Sequence, residues 1–243
     1  MEIFLTSLPY GVYRGGLTEY YGFNPANGFA DRLEKAWRQD SRVLFIASQP
    51  DDYEMVDGIC YELKHRLTYA GLTFSGITAL DHRTSPDIIK DMSVYDAVFL
   101  SGGHVPTTND FYHEIGLKER IKSFDGVLVG ISSGSMNSAS EVYAQPEMEG
   151  ESAPDFVRFR EGLGLVDISI IPHYQAIKDD ILDGKRLFED ITYKDSMGKT
   201  FYLLNDGSYV TKEDGRTVIH GTARMLKDGI ISVISGTDEE YII

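Results

Sequence analysis

Apolar positions along this chain follow two alternating periods. "EIFLTSL" (2–8) and "RVLFIAS" (42–48) are nearly continuous apolar runs, the pattern of strands buried on both faces of a parallel sheet. "LTFSGITAL" (72–80), "DAVFLSGG" (96–103) and "GVLVGIS" (126–132) repeat that signal, and the last two end in small residues. Between these runs the period lengthens. Phe29, Leu33 and Trp37 fall at helical spacing within 28–39. Met55, Ile59, Leu63 and Leu67 do the same within 51–70, with Val56 and Cys60 beside them. "SPDIIKDM" (85–92) reads as a short helix with Ser85 as N-cap and Pro86 at the first helical position. Helices are also expected near 107–123 and over 133–144. This alternation predicts an α/β domain with a mostly parallel sheet and helices on both faces.

From about residue 200 the pattern changes. Short β runs are punctuated by Asp-Gly at 206–207, 214–215 and 228–229, each a hairpin signal. These strands are expected to extend the same sheet or to cover an edge. With no linker, repeat or low-complexity segment, the expectation is a single domain over 1–243.

Composition narrows the function classes. A chain of 243 residues with 42% hydrophobic and 12% aromatic content can bury a substantial core. A net charge of −15 repels phosphate backbones and argues against nucleic acid and anionic membranes as partners. No apolar run reaches the ~18 residues of a membrane span. The opening "MEIFLTSLPYG" has an acidic second residue and no basic flank, so it reads as a strand and not as a secretion signal. The single cysteine, Cys60, excludes an intrachain disulfide and a multi-cysteine metal site, and its place on an amphipathic helix assigns it to packing. A cytoplasmic setting fits these features best, with no metal or organic cofactor, and the oligomeric state is not legible.

The chemistry concentrates at "LVGISSGSMNS" (128–138). Gly130-Ile131-Ser132-Ser133-Gly134 fits G-x-S-x-G between a strand and a helix, the context of a nucleophile elbow. Residues two before and two after the nucleophile must be small, because the chain doubles back there. Ser132 has glycine at both places, whereas Ser133 has Ile131 on one side, so Ser132 is the candidate nucleophile. The N–H of Ser133 is then one oxyanion donor, and the strand end at Gly102 and Gly103 offers another. Of six histidines, His173 is the candidate base, because it follows the apolar run "GLGLVDISIIP" (162–172) at a strand terminus. His104, beside the glycine pair, is its rival and is assigned to substrate contact. Asp206 in "YLLNDGS" is the candidate orienting acid, although "NDG" reads equally well as a plain turn.

These pieces together resemble the aspartyl dipeptidase (peptidase E) family of serine peptidases. The resemblance is carried by "IFLTS", "VLFIAS", "VFLSGGHVPTTN", "LVGISSGSMN", "GLGLVDISIIPHY" and "YLLNDGS", spread over most of the chain. It implies a three-layer α/β/α fold with a mostly parallel central sheet, flavodoxin-like or class I glutamine amidotransferase-like, with C-terminal β-hairpins added. It implies Ser132 as nucleophile, His173 as base and Asp206 as acid, in the family's chain order, although the family's acid can be glutamate. It also implies hydrolysis of short peptides, with an acidic first residue preferred. Arg158 and Arg160 would supply the charge for that residue, or else be surface residues alternating with Phe159. His104 stands where characterised members typically carry asparagine.

Three other readings remain at this level. An α/β-hydrolase esterase shares the elbow but needs the order Ser, acid, His, which only His220 allows. A non-catalytic amidotransferase-like binding module needs no chemistry. A serine hydrolase of another amide, such as a polymer with aspartyl side-chain linkages, would use the same residues.

Overall fold

The computed structural model describes residues 1–11, 14, 21–213 and 215–243. In the first part of the chain, strands and helices alternate as the apolar periods dictate. The order is β1 (Glu2–Thr6), α1 (Phe29–Ala36), β2 (Ser41–Ile46), α2 (Tyr53–Tyr69), β3 (Phe74–Leu80), β4 (Ala97–Leu100), α3 (Val105–Glu114), α4 (Leu117–Arg120), β5 (Val127–Ile131) and α5 (Ser133–Asn137). Strands β1, β5, β4, β2 and β3 lie side by side in that order and are parallel throughout. β4 and β5 are buried at every residue, which accounts for their unbroken apolar runs. β3 is the edge and is only partly covered. Helix α2 buries Val56, Leu63 and Leu67 and half-buries Cys60, as its spacing predicts. Burial, with Asp57 and Asp81 adding to it, pushes the Cys60 thiol up to about 11, so it stays protonated and packs.

The rest of the chain runs β6 (Glu141–Tyr143), β7 (Phe159–Glu161), β8 (Ser169–Ile171), α6 (Tyr174–Ile177), β9 (Ile181–Leu182), β10 (Lys185–Arg186), α7 (Tyr193–Asp195), β11 (Thr200–Leu204), β12 (Tyr209–Glu213), β13 (Arg216–His220), β14 (Ala223–Lys227), β15 (Ile230–Ser235) and β16 (Glu240–Ile242). β12, β13 and β16 continue the main sheet beyond β1 with antiparallel pairing, giving eight strands. The remaining C-terminal strands do not. β15, β14 and β11 join β8 in a separate four-stranded sheet. That sheet has its own apolar centre, in which Tyr143, Phe188, Phe201 and Leu203 are buried, and the Tyr143 and Phe201 rings stack at 4.5 Å.

The three Asp-Gly signals resolve differently. Asp228 and Gly229 take positive φ (50° and 74°) and close a two-residue hairpin between β14 and β15. Gly215 sits at the turn between β12 and β13, while its predicted partner Asp214 lies outside the described residues. Asp206-Gly207 is not a hairpin. β11 ends in the smaller sheet and β12 begins in the larger one, so the turn carries the chain from one sheet to the other.

Two helix expectations also need correcting. The segment 107–123 is broken at Gly116, whose φ of 60° ends one helix and starts the next. The expected 133–144 helix stops at Asn137, because the Asn137 carbonyl accepts from the Leu163 N–H (2.9 Å) and the following residues pair as β6. Among the described residues no helix is long and apolar enough to cross a membrane.

Candidate active site

Ligand sites in open α/β sheets form where strands end, and five strand ends meet here. β1, β5 and β4 are parallel neighbours, so Ser7, Ser132 and the 101–103 segment leave the main sheet on one rim. β8 and β11 are parallel neighbours in the smaller sheet, so the residues after them, His173 and Asp206, leave on one rim as well. The Asp206-Gly207 crossover ties the two rims together, with the Gly207 N–H donating to the Leu8 carbonyl at 3.1 Å.

At the end of β5 the chain doubles back. Ser132 has φ 49° and ψ −113°, a conformation that costs an L-residue about 1–3 kcal/mol. Its N–H donates to the Thr6 and Ser7 carbonyls (3.0 and 3.2 Å), which holds the bend. The flanking glycines are sterically required. A Cβ on Gly134 would lie 2.3 Å from the Leu100 oxygen, and one on Gly130 would lie 3.0 Å from the Ser135 backbone. The small-residue rule that singled out Ser132 therefore has its contact partners in β4 and α5.

Ser132 Oγ lies 2.8 Å from His173 Nε2, and His173 Nδ1 lies 2.7 Å from Asp206 Oδ1. A carboxylate only accepts, so Nδ1 carries the hydrogen and Nε2 is left to accept from the serine hydroxyl. Both side chains are withdrawn from water, 11% exposed for His173 and 2% for Asp206. His173 takes φ 60°, which turns its ring back toward β5, and its N–H donates to Ser7 Oγ at 2.8 Å.

Three further residues shape this cluster, and no local signal marks them. Ser7 Oγ donates to Asp206 Oδ1 at 2.7 Å while accepting from the His173 backbone. Gln175 donates through Nε2 to Asp206 Oδ2 at 2.5 Å and accepts the Asp206 N–H at 3.0 Å. Ser48 Oγ donates to the Gly102 carbonyl at 2.6 Å. In a trans peptide the N–H opposes the carbonyl, so this bond turns the Gly103 N–H away from Ser48. Gly102 packs against the serine, since a Cβ there would lie 3.1 Å from Ser132 Cβ. A Cβ on Gly103 would lie 2.5 Å from Ser48 Oγ. Among the described residues the N–H groups of Gly102, Gly103 and Ser133 donate to no protein acceptor.

Ser132 and His173 open into a cavity of about 1040 Å³, a volume at the upper end for small-molecule sites. His104 lines it, but Thr107 Oγ1 (2.8 Å) and Glu151 Oε1 (2.7 Å) already engage both of its ring nitrogens. Arg158 and Arg160 do not reach it. Arg158 pairs with Asp195 at 3.0 Å and faces a separate hollow with Lys185 and Lys194, and Arg160 pairs with Asp110 at 2.8 Å. Both guanidiniums, Arg160 from β7 and Arg158 just before it, pair with partners outside the cavity, so neither lines it. Arg14 does line the cavity and holds Asp180 through two bonds of 2.8 and 2.7 Å. His220 lies elsewhere, stacked on Tyr209 in β13 and bonded to Thr211 Oγ1 at 2.9 Å. The Ser-acid-His order of an α/β-hydrolase therefore has no histidine at Ser132. Among the described residues no three His, Cys, Asp or Glu side chains converge as a metal site.

The family model for Peptidase family S51 matches residues 20–220. A crystal structure of a peptidase from an acI-B1 Actinobacterium superposes with a TM-score of 0.65 at 16% identity, covering 100% of this chain and 96% of that one. A candidate peptidase E protein from Listeria monocytogenes EGD-e superposes with a TM-score of 0.58 at 18% identity, covering 96% of this chain and 98% of that one. At these identities the two structures are alike in fold. No curated protein matches the chain.

Proposed function

Because the chain belongs to peptidase family S51, the peptidase E family of serine peptidases, we propose that Ser132, His173 and Asp206 are its catalytic triad and that it hydrolyses short peptides. The observation that carries this reading is the bond chain from Ser132 Oγ through His173 to Asp206 at the wall of the cavity.

In this reading Ser132 Oγ attacks the peptide carbonyl while His173 Nε2 takes its proton. Asp206 holds the ring in that tautomer and stabilises the imidazolium. Charge on the carbonyl oxygen is met by the Gly103 and Ser133 N–H groups, with Gly102 leaving room for it. His173 then gives its proton to the leaving amine, and water reverses the sequence to free Ser132. No step calls for a metal or organic cofactor. The elbow strain at Ser132 holds Oγ out of the turn and toward the imidazole.

An aspartyl preference, which the resemblance implies, needs a cation near the first side chain. Arg158 and Arg160 are engaged outside the cavity, so Arg14, at the cavity wall and paired with Asp180, is the arginine proposed to meet it. The test is a hydrolysis panel of dipeptides varied at the first residue, for wild type and Ser132→Ala. The expected result is turnover that falls by several orders of magnitude in the variant. Near-normal hydrolysis by Ser132→Ala would overturn the triad, and the pattern over first residues decides the specificity.

A further inference from the structure

The charges around the cavity are unevenly settled. Arg14 and Asp180 satisfy one another across it, and His104 is held by Glu151. Glu147 also lines the cavity, and its carboxylate has no hydrogen-bond or ion-pair partner among the described residues. It reaches solvent at the mouth. Loss of water around the carboxyl nevertheless holds its pKa above the ordinary glutamate value; neighbouring Glu151 adds to the rise, and His104, His173 and Arg14 oppose it.

The backbone beneath Glu147 is pinned. Glu151 Oε2 accepts the N–H groups of Glu147 (2.8 Å) and Met148 (3.0 Å), while its other oxygen meets His104, itself fixed by Thr107. Asp183 accepts the N–H groups of Gly150 and Ser152 from the other side. A carboxylate on a fixed backbone, in a cavity whose other charged lining groups have partners, is a receptor for a cation. Glu147 lines the same cavity as Ser132 and His173, so the cation belongs to the substrate of that site.

We propose that Glu147 receives a primary ammonium group of the substrate, so that the cavity selects peptides by a positive charge. The inference rests on the peptidase reading of the same cavity and names its substrate class. An ammonium between Glu147 and the Ser132–His173 pair is what a free α-amine presents, and a lysine-type side chain offers the same chemistry from further out.

The test measures binding in a protein that cannot turn its ligand over. Ser132→Ala and the double variant Ser132→Ala/Glu147→Gln are titrated calorimetrically with Ala-Leu, N-acetyl-Ala-Leu and N-acetyl-Lys-Leu. Glu147 lies at the surface, so the second substitution leaves the fold intact. The expected result is about tenfold tighter binding of Ala-Leu than of its acetylated form, lost in the double variant. If Glu147 instead supports tighter binding of N-acetyl-Lys-Leu, the ammonium site stands and the side chain is its ligand. Equal binding of all three peptides, or a preference that survives Glu147→Gln, overturns the proposal. Hydrolysis by the Ser132 wild type is measured alongside. A Glu147-dependent preference without any turnover removes the peptidase reading and keeps the site, and Ser132-dependent turnover without the preference does the reverse.

Discussion

Gln175 and Asp206 grip each other at both ends: the glutamine amide donates to Asp206 Oδ2 at 2.5 Å and accepts the Asp206 N–H at 3.0 Å. With Ser7 and His173 on Oδ1, every lone-pair direction that matters on this carboxylate has a donor. The aspartate sits in a crossover between two sheets, where no strand pairing fixes its side chain. Gln175 supplies that constraint. Replacing it with leucine should let Asp206 rotate and the His173 ring follow. Since a small misplacement costs up to about 10²-fold, kcat of Gln175→Leu is expected to fall by 10- to 100-fold with KM little changed. Steady-state kinetics on one good peptide decides this, and a rise in KM at constant kcat would show that Gln175 contacts substrate instead.

Backbone strain at Ser132 should be visible as stability. Ser132→Ala keeps a Cβ at φ 49° and retains the strain, whereas Ser132→Gly removes it. Glycine gives back about 0.5–1 kcal/mol through its unfolded-state entropy, against the 1–3 kcal/mol of strain relieved. The glycine variant is therefore expected to melt above the alanine variant by a few degrees, about 2–4 °C per kcal/mol for a chain of this size. Both variants lack the proposed nucleophile, so thermal melts separate the structural effect from the catalytic one. Equal melting temperatures would mean that the elbow relaxes around alanine.

What could be read from sequence follows the range of the forces. The strands of the main sheet, helices α1 and α2 and the elbow were legible because each is a local pattern, and the steric rule at Gly130 and Gly134 picked Ser132 out of three serines. His173 and Asp206 were legible as strand ends. The smaller sheet was not, because β8 is only three residues long and its pairing with β11 has no local signature. Asp206-Gly207 carries the same turn chemistry as a hairpin, and only the assignment of its two strands to different sheets makes it a crossover. Ser7, Ser48 and Gln175 act across 199, 54 and 31 residues of sequence, through side chains that occur everywhere on protein surfaces.

Arg160 on β7 and Arg158 just before it offer a direct check of that limit. Alternation around Phe159 was compatible with either a substrate role or a structural one, and the ion pairs with Asp195 and Asp110 favour the second. Arg160→Ala and Arg158→Met are expected to leave kcat/KM on an Asp-Xaa dipeptide within about twofold. Arg158→Met removes the charged partner of Asp195, which is 20% exposed and among the described residues keeps only the Tyr143 hydroxyl, and should cost about 1–3 kcal/mol of stability. Arg160 faces an exposed partner, so its loss should cost at most about 1 kcal/mol. A large and selective fall on acidic dipeptides in either variant would return these residues to the substrate.

His220 is buried beneath Tyr209, and its imidazole is pushed down to about 4 by burial and by the nearby Arg32 charge, with Glu240 opposing. In the unfolded chain the same group titrates near 6.5. Between these values the unfolded chain binds the extra proton and the folded one does not, so stability rises with pH across this window. His220 thus costs nothing above about pH 6.5, and stability falls as pH drops toward 4, by about 3 kcal/mol in all. Denaturation by urea at pH 7.5, 6.0 and 5.0 should show wild type losing stability faster than His220→Gln, which keeps a partner for Thr211 and carries no titrating group. Carboxylates titrate in both proteins, so the difference between the two curves isolates the histidine. Parallel curves would mean that His220 is protonated in the fold, paired with Glu240 at 3.2 Å.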